Sequence, residues 1–387
     1  MIYPNYENGS IINLVSCITS ALGNSPVTHK PLAFLDSDLI LKKKNVIFIV
    51  LDGLGYKFLR EQGSSFFSRH LVGNCTSVFP STTATAITSF LTGMSPAQHA
   101  VTGWFVYLKE LGTISAILPF KPRYGGEIFS KSDIYAKDIF KQSTIFENLN
   151  RKSYTLTNDF IINSDYTKFY SKGSTSVAYK KENIENFITN LMTLVQDIPN
   201  GKFIYAYWPT FDTLAHKNGI HSLECKTHFQ ELAKALENFV YSISNTDSLV
   251  IITADHGLVD SKKDELIDIE QHPDLKDTLL MPLSGDPRAA YCYVKQGMTD
   301  MFEEYVDKNL SEICSVYKSP QCVEDHFFGL DDPNPRLWDR IGDYVLIPKE
   351  NYVIKDKILG ESPHHYTGHH GGMSEDEMFV PVIAVES

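Results

Sequence analysis

Four short segments of this chain concentrate carboxylates and imidazoles: Leu51-Asp52-Gly53, Asp212-Thr213-Leu214-Ala215-His216, Asp255-His256-Gly257 and Gly368-His369-His370-Gly371-Gly372. An acid and a histidine four residues apart, as in Asp212 and His216, share one face of a helical turn. Carboxylates and neutral imidazoles without thiolates are the donor set of zinc or a similar divalent ion, and there are enough of them here for two ions. Two ions about 3.5–4 Å apart clamp the attacking and leaving oxygens of an in-line displacement at phosphorus. A fifth segment, Phe79-Pro80-Ser81-Thr82-Thr83-Ala84-Thr85-Ala86, offers a row of hydroxyls where a helix starts. Unpaired backbone N–H groups and the positive end of the helix dipole favour an alkoxide and a bound phosphoryl group there. Singly, each segment also reads as a capped turn or a surface histidine. Their coexistence in one chain is what points to chemistry.

Something must hold these segments at one place, and the apolar runs supply it. Asn45-Val46-Ile47-Phe48-Ile49-Val50-Leu51 is a continuous β-branched run, the pattern of a strand buried on both faces of a parallel sheet. Lys202 to Trp208 and Ser248 to Ala254 repeat it, so three buried strands each deliver an acid (Asp52, Asp212, Asp255) just past the C-terminal end. In open α/β sheets that edge is where ligands bind. Thr85 to Thr92, stopped by Gly93, and residues 223 to 243 have helical periodicity, and Phe379 to Val385 reads as a last strand with Pro381 near its start or at a sheet edge. The expected class is a doubly wound, mostly parallel α/β sheet with helices on both faces and a small inserted cap. The expected division is a polar, partly helical lead-in (1–44), a catalytic core (45–257), the cap (258–366) and a return to the core (367–387).

Composition narrows the functional classes. With 43% hydrophobic and 21% charged residues the chain is an ordinary globular one, and a net charge of −12 disfavours nucleic-acid and anionic-membrane surfaces while leaving a small-molecule cleft open. No run of about 18 apolar residues suggests a membrane span, the first residues are unlike a secretory signal, and a cytoplasmic protein is expected. The six cysteines form no CxxC pair, so neither a cysteine-zinc site nor a disulfide scaffold is indicated, although Cys314 and Cys322 are close enough in sequence to bridge if oxidised.

From Asn45 to the C-terminus the ordered motifs resemble the alkaline phosphatase superfamily, in its nucleotide pyrophosphatase/phosphodiesterase branch. They are Leu51-Asp52-Gly53, Phe79-Pro80-Ser81-Thr82-Thr83 with Thr92-Gly93-Met94-Ser95-Pro96-Ala97-Gln98-His99 downstream, Asp212 to His216, Asp255-His256-Gly257 and His370-Gly371-Gly372. The resemblance implies two divalent ions, usually zinc. One would be held by Asp212, His216 and His370, the other by Asp52, Thr83, Asp255 and His256. It implies Thr83 as the nucleophile, nine residues before Thr92-Gly93, with a transient phospho-threonine. It also implies a structural role for His99, and His364 and His365 read as loop residues. One departure stands out: many members of this branch have an asparagine about twenty residues past the nucleophile, contacting a phosphate oxygen, where this chain reads Gly103-Trp104-Phe105.

The expected activity is therefore a metal-dependent phosphodiesterase or nucleotide pyrophosphatase acting on a small phosphoester. A phosphonate hydrolase or phosphomonoesterase of the same superfamily is the nearest alternative, and a non-catalytic metal-binding protein the alternative of another class. A sulfatase is disfavoured because 80–84 lacks the C/S-x-P-x-R setting, and a phosphomutase because 105–200 is too short for its inserted domain. Thr85 to Gln98 contains no Lys or Arg, which favours diesters over dianionic monoesters, unless Lys121 and Arg123 fold toward the site. Trp104 is a candidate stacking wall for the second substituent of a diester, or else a core residue of an ordinary strand.

Overall fold

The computed structural model describes residues 1–24, 28–196, 201–361 and 366–387. Its central sheet has seven strands in the spatial order Leu71–Thr76, Phe379–Glu386, Ser248–Thr253, Asn45–Leu51, Lys202–Trp208, Lys152–Asn158 and Ser174–Tyr179. From Ser248–Thr253 onward every neighbouring pair is parallel; the C-terminal strand runs antiparallel to both of its neighbours. Pro381, which has no N–H to give, lies in the part of that strand that pairs only with Leu71–Thr76.

Every residue of the three strands Asn45–Leu51, Lys202–Trp208 and Ser248–Thr253 is buried, as their unbroken apolar pattern predicts. Their register sets Leu51 beside Trp208 and Val50 beside Thr253, so the three strands end level with one another. Helices cover both faces. Phe48 packs against Phe90 of helix Thr83–Thr92, with ring centroids 5.4 Å apart. Trp208 points to the other face and meets Phe187 of helix Ile184–Gln196 at 5.0 Å and His228 of helix Leu223–Ser242 at 5.8 Å.

A second sheet, antiparallel throughout, has the order Cys314–Lys318, Tyr344–Pro348, Ala289–Cys292, Ser284–Asp286, Phe105–Leu108, Thr113–Ala116 and Lys121–Pro122. Here the structure departs from the division expected from the sequence. The expected core (45–257) takes in the three strands from 105 to 122, but they pair with the strands of 284–348, joined through Phe105 opposite Gly285. Nor is the first segment a polar lead-in. Helix Ile11–Leu22 is IINLVSCITSAL, ten of its twelve residues are buried, and it belongs to the main hydrophobic core. Tyr6 reaches further, donating its hydroxyl hydrogen to Phe327 O at 2.8 Å and accepting the Phe79 N–H at 3.2 Å. All six cysteines are buried free thiols, Cys314 and Cys322 included, and among the described residues no helix is long and apolar enough to cross a membrane.

Candidate active site

At the level ends of the three buried strands the chain turns sharply, and the four acid- and histidine-bearing segments converge. Asp52 follows Asn45–Leu51, Asp255 and His256 follow Ser248–Thr253, and Asp212 and His216 lie on helix Thr210–Asn218 directly after Lys202–Trp208. His370 comes from the loop before the last strand. Gly257 is there because nothing larger fits: a Cβ would lie 2.0 Å from Asp376 O. Gly371 adopts φ 116°, a conformation open to glycine, with Asp286 against the space a Cβ would need.

The six side chains form two trios, Asp52/Asp255/His256 and Asp212/His216/His370, each with its donor atoms within 4.8 Å of one another. The trios adjoin through the His256 and His370 rings, stacked with centroids 3.7 Å apart. In each histidine Nδ1 lies against a backbone carbonyl: His256 on Gly257 O at 3.1 Å, His216 on Gly368 O at 2.8 Å, His370 on Ser81 O at 3.2 Å. Each carbonyl can accept an Nδ1–H, which leaves Nε2 on the inward side, where His216 Nε2 and His370 Nε2 are 3.2 Å apart. His256 Nε2 is 3.4 Å from oxygens of both Asp52 and Asp255, and His216 Nε2 is 3.4 Å from Asp212.

One buried oxygen of each carboxylate, Oδ1 of Asp52, Oδ1 of Asp212 and Oδ2 of Asp255, has no hydrogen-bond donor. The other oxygens of Asp52 and Asp255 are bonded. Asp52 accepts from the Tyr207 hydroxyl, and Asp255 Oδ1 accepts the N–H groups of Gly53 and His256 at 3.0 Å. Burial, then the neighbouring carboxylates, push the Asp52 carboxyl well above the usual range; burial likewise raises Asp212 and drives His370 well down. Buried acids with orphaned oxygens, facing imidazole nitrogens, are electrostatically incomplete. A divalent cation in each trio fits this donor set.

Thr83 opens helix Thr83–Thr92 and is nearly buried, with Oγ1 3.1 Å from His256 Nε2. No side chain caps this helix, because Thr82 turns its hydroxyl away to Asp286 Oδ1 at 3.0 Å. The first-turn N–H groups are thus left for an anion. All seven residues that the sequence marked for metal or nucleophile converge here. His369 does not join them: its Nε2 lies 3.0 Å from Tyr366 O, and burial lowers its pKa to about 3. His99 is fully buried, its Nδ1 accepting the Val101 N–H and its Nε2 3.0 Å from the Ser89 hydroxyl. His364 and His365 lie outside the described residues. Trp104 is half-buried at the start of strand Phe105–Leu108. Arg123 is spent on Asp356 at 2.7 Å and Glu361 at 2.9 Å, and Lys121 is exposed.

Sequence reasoning missed Asp286. Its Oδ1 holds the Thr82 hydroxyl and its Oδ2 accepts the Trp104 N–H at 3.1 Å, while burial pushes its pKa up to about 6 against the pull of those bonds. It occupies space beside Gly103, where a Cβ would lie 3.0 Å from Asp286 Oδ2. The segment Ser284-Gly285-Asp286-Pro287 reads as a bland turn, and no spacing links it to 82 or 104. Tyr207 and Ser81, whose hydroxyl binds Gly372 O at 2.7 Å, were also hidden, inside an apolar run and a cap.

The family described as "Type I phosphodiesterase / nucleotide pyrophosphatase" matches residues 46–373. No curated protein matches the chain in sequence. Among solved structures, the chain is similar to murine ectonucleotide pyrophosphatase/phosphodiesterase 5 (16% identity, 87% of each chain, TM-score 0.67) and to the human protein of that name (18%, 88% of this chain and 87% of that one, 0.66). It is also similar to phosphonoacetate hydrolase from Sinorhizobium meliloti 1021 in complex with phosphonoformate (18%, 89% and 90%, 0.64). At these identities the likeness shows a shared fold, while the family match covers most of the chain. This chain belongs to the type I phosphodiesterase/nucleotide pyrophosphatase family of the alkaline phosphatase superfamily, hydrolases of phosphoester and phosphoanhydride bonds.

Proposed function

We propose that the chain hydrolyses phosphodiester or phosphoanhydride bonds of small molecules in two steps, with Thr83 as the nucleophile and two divalent ions, zinc by donor chemistry, as cofactors. Asp212, His216 and His370 would hold one ion, and Asp52, Thr83, Asp255 and His256 the other; bound there, the ions neutralise charge on the phosphoryl oxygens and acidify hydroxyl and water. The Thr83 hydroxyl attacks phosphorus as the bond to the leaving oxygen breaks, and water then cleaves the Thr83 ester, returning the hydroxyl. The uncapped helix N-terminus faces the phosphoryl oxygens. The observation that carries this reading is the Thr83 hydroxyl 3.1 Å from one trio, whose imidazole stacks on the other, with an orphaned carboxylate oxygen on every acid.

A murine relative supports the nucleophile: a threonine-to-alanine variant of it is described as inactive and in complex with AMP. A cytoplasmic setting belongs to the same reading, six unpaired cysteines being usual in reducing compartments. The test is paired. Thr83→Ala should abolish turnover of a nitrophenyl nucleotide diester while the fold persists, and Thr82→Ala should be mild. A phosphorus-chiral diester should react with retention; inversion would rule out a covalent Thr83 intermediate. About two zinc ions per chain are expected, and none retained after supplementation would favour a binding protein that kept the fold. Because phosphonoacetate hydrolase shares the fold, phosphonates belong in the first substrate screen.

A further inference from the structure

Lys355 is one of several cations withdrawn from water in this acidic chain; buried Lys202 donates its Nζ hydrogens to Leu194 O and Val195 O. Arg123, Arg288 and Arg340 are each paired with carboxylates. Lys355 ends strand Val353–Lys355, half-buried, and among the described residues no carboxylate lies within ion-pairing distance of its Nζ. The nearby acids are engaged elsewhere. Asp268, its register partner across the strand pair, accepts the Glu270 N–H at 3.1 Å, while Asp356 and Glu361 hold Arg123. Burial lowers the Lys355 pKa, and no neighbouring acid restores it. An ammonium held this way is costly until an anion arrives.

Its position says which anion. Lys355 Nζ sits over the Tyr366 ring, 5.6 Å from the centroid, and that ring is 5.2 Å from the His216 imidazole. His216 belongs to the trio with Asp212 and His370, whereas Thr83 touches His256 of the other trio. In an in-line displacement the leaving group departs opposite the nucleophile, hence past Asp212, His216 and His370 toward Tyr366 and Lys355. We propose that Lys355 and Tyr366 form a subsite for an anionic leaving group, a phosphate or carboxylate carried by the part of the substrate that departs. The subsite rests on the hydrolase reading above and narrows it: Lys355 pairs with the charge of the leaving group, and the Tyr366 ring adjoins both Lys355 and His216.

The test uses zinc-loaded full-length protein and three substrates sharing one nucleoside phosphoryl group: a 4-nitrophenyl ester, a 2-carboxy-4-nitrophenyl ester and a nucleoside triphosphate cleaved to release pyrophosphate. Lys355→Met should lower kcat/KM about tenfold, mainly through KM, for the carboxylated ester, the triphosphate or both, and leave the plain nitrophenyl ester within about twofold. Lys355→Arg should recover most of the loss. A loss confined to the triphosphate assigns the subsite to phosphate; a loss confined to the carboxylated ester assigns it to carboxylate. Equal change on all three substrates, or no change on any, overturns the subsite. Absence of wild-type turnover on the plain nitrophenyl ester is a different result, since it strikes the hydrolase reading itself.

Discussion

Asp286 touches none of the six acid and histidine side chains by hydrogen bond, yet its loss should be among the costlier single changes near the site. Its two oxygens take one hydrogen each from Thr82 and Trp104, at 3.0 and 3.1 Å, in a nearly fully buried place. Asp286→Ala orphans both donors, at about 1–3 kcal/mol each, so a stability loss of about 2–6 kcal/mol is expected in urea denaturation. Thr82 immediately precedes Thr83, and a displacement of the proposed nucleophile by about 1 Å costs on the order of a hundredfold in rate. We therefore expect kcat on a nitrophenyl nucleotide diester to fall roughly ten- to a hundredfold in Asp286→Ala, with KM little changed. Asp286→Asn separates geometry from charge: its amide oxygen can still accept the Trp104 N–H, and its amide N–H can donate to Thr82 Oγ1. It should stay within about 1 kcal/mol of wild type in stability and about threefold in kcat. An unchanged kcat in Asp286→Ala would refute the positioning argument, and an Asn variant as damaged as the Ala variant would show that the charge, not the geometry, matters.

Stability should fall in mild acid through His99, whose pKa burial lowers to about 3, well below the ordinary value of 6.5. The unfolded chain takes the proton first, so the contribution is fully present above about pH 6.5 and is lost as pH falls toward 3, amounting to about 2 kcal/mol by pH 5. Asn in its place keeps an acceptor for the Val101 N–H, and the drop in unfolding free energy between pH 8 and 5 should shrink by about that amount in His99→Asn; parallel curves for the two proteins would exclude His99 as the source. His370→Ala should lose zinc and activity together while His369→Ala retains zinc stoichiometry after dialysis, and equal losses would mean that the register of the pair has been misassigned. If Trp104 supplies a stacking wall, Trp104→Ala should lower the ratio of kcat/KM for a nitrophenyl nucleotide diester to that for nitrophenyl phosphate, and an unchanged ratio leaves it a core residue.

What could be read from the sequence, and what could not, divides along sequence distance. Asn45–Leu51, Lys202–Trp208 and the C-terminal strand are recognisable because a strand buried on both faces needs an unbroken apolar run, and the site acids follow such runs or the helix directly behind one. Helix Thr83–Thr92 announces itself by Pro80, the hydroxyl row and Gly93, which ends it at φ 70°. Strands 105–122 gave no comparable signal. Their short runs fit either sheet, and what assigns them is Phe105 opposite Gly285, a pairing across 180 positions that no local pattern encodes. The same distance hid Asp286 and the burial of the N-terminal helix.

That division has a physical consequence for how the site is held. The second sheet supplies none of the seven residues proposed for metal and nucleophile, yet one turn at its edge grips both halves of the site. Asp286 holds the loop of Thr82 and Thr83. Two residues later Arg288, buried, pairs with buried Glu377 through Nε at 3.1 Å and an NH2 contact at 2.8 Å. Burial alone would raise the Glu377 carboxyl, but Arg288 and the hydrogen bonds outweigh it, so its pKa lies below the ordinary value and the pair is ionic. The same carboxylate accepts the Gly372 N–H at 2.7 Å, and its backbone carbonyl accepts the Gly257 N–H at 2.8 Å. One ion pair thereby fixes the loop of His370 against the loop of His256, whose rings stack at 3.7 Å. Removing one partner from a buried pair costs about 3–5 kcal/mol. Here the cost falls on the relative placement of the two trios, on which the proposed two-ion displacement depends.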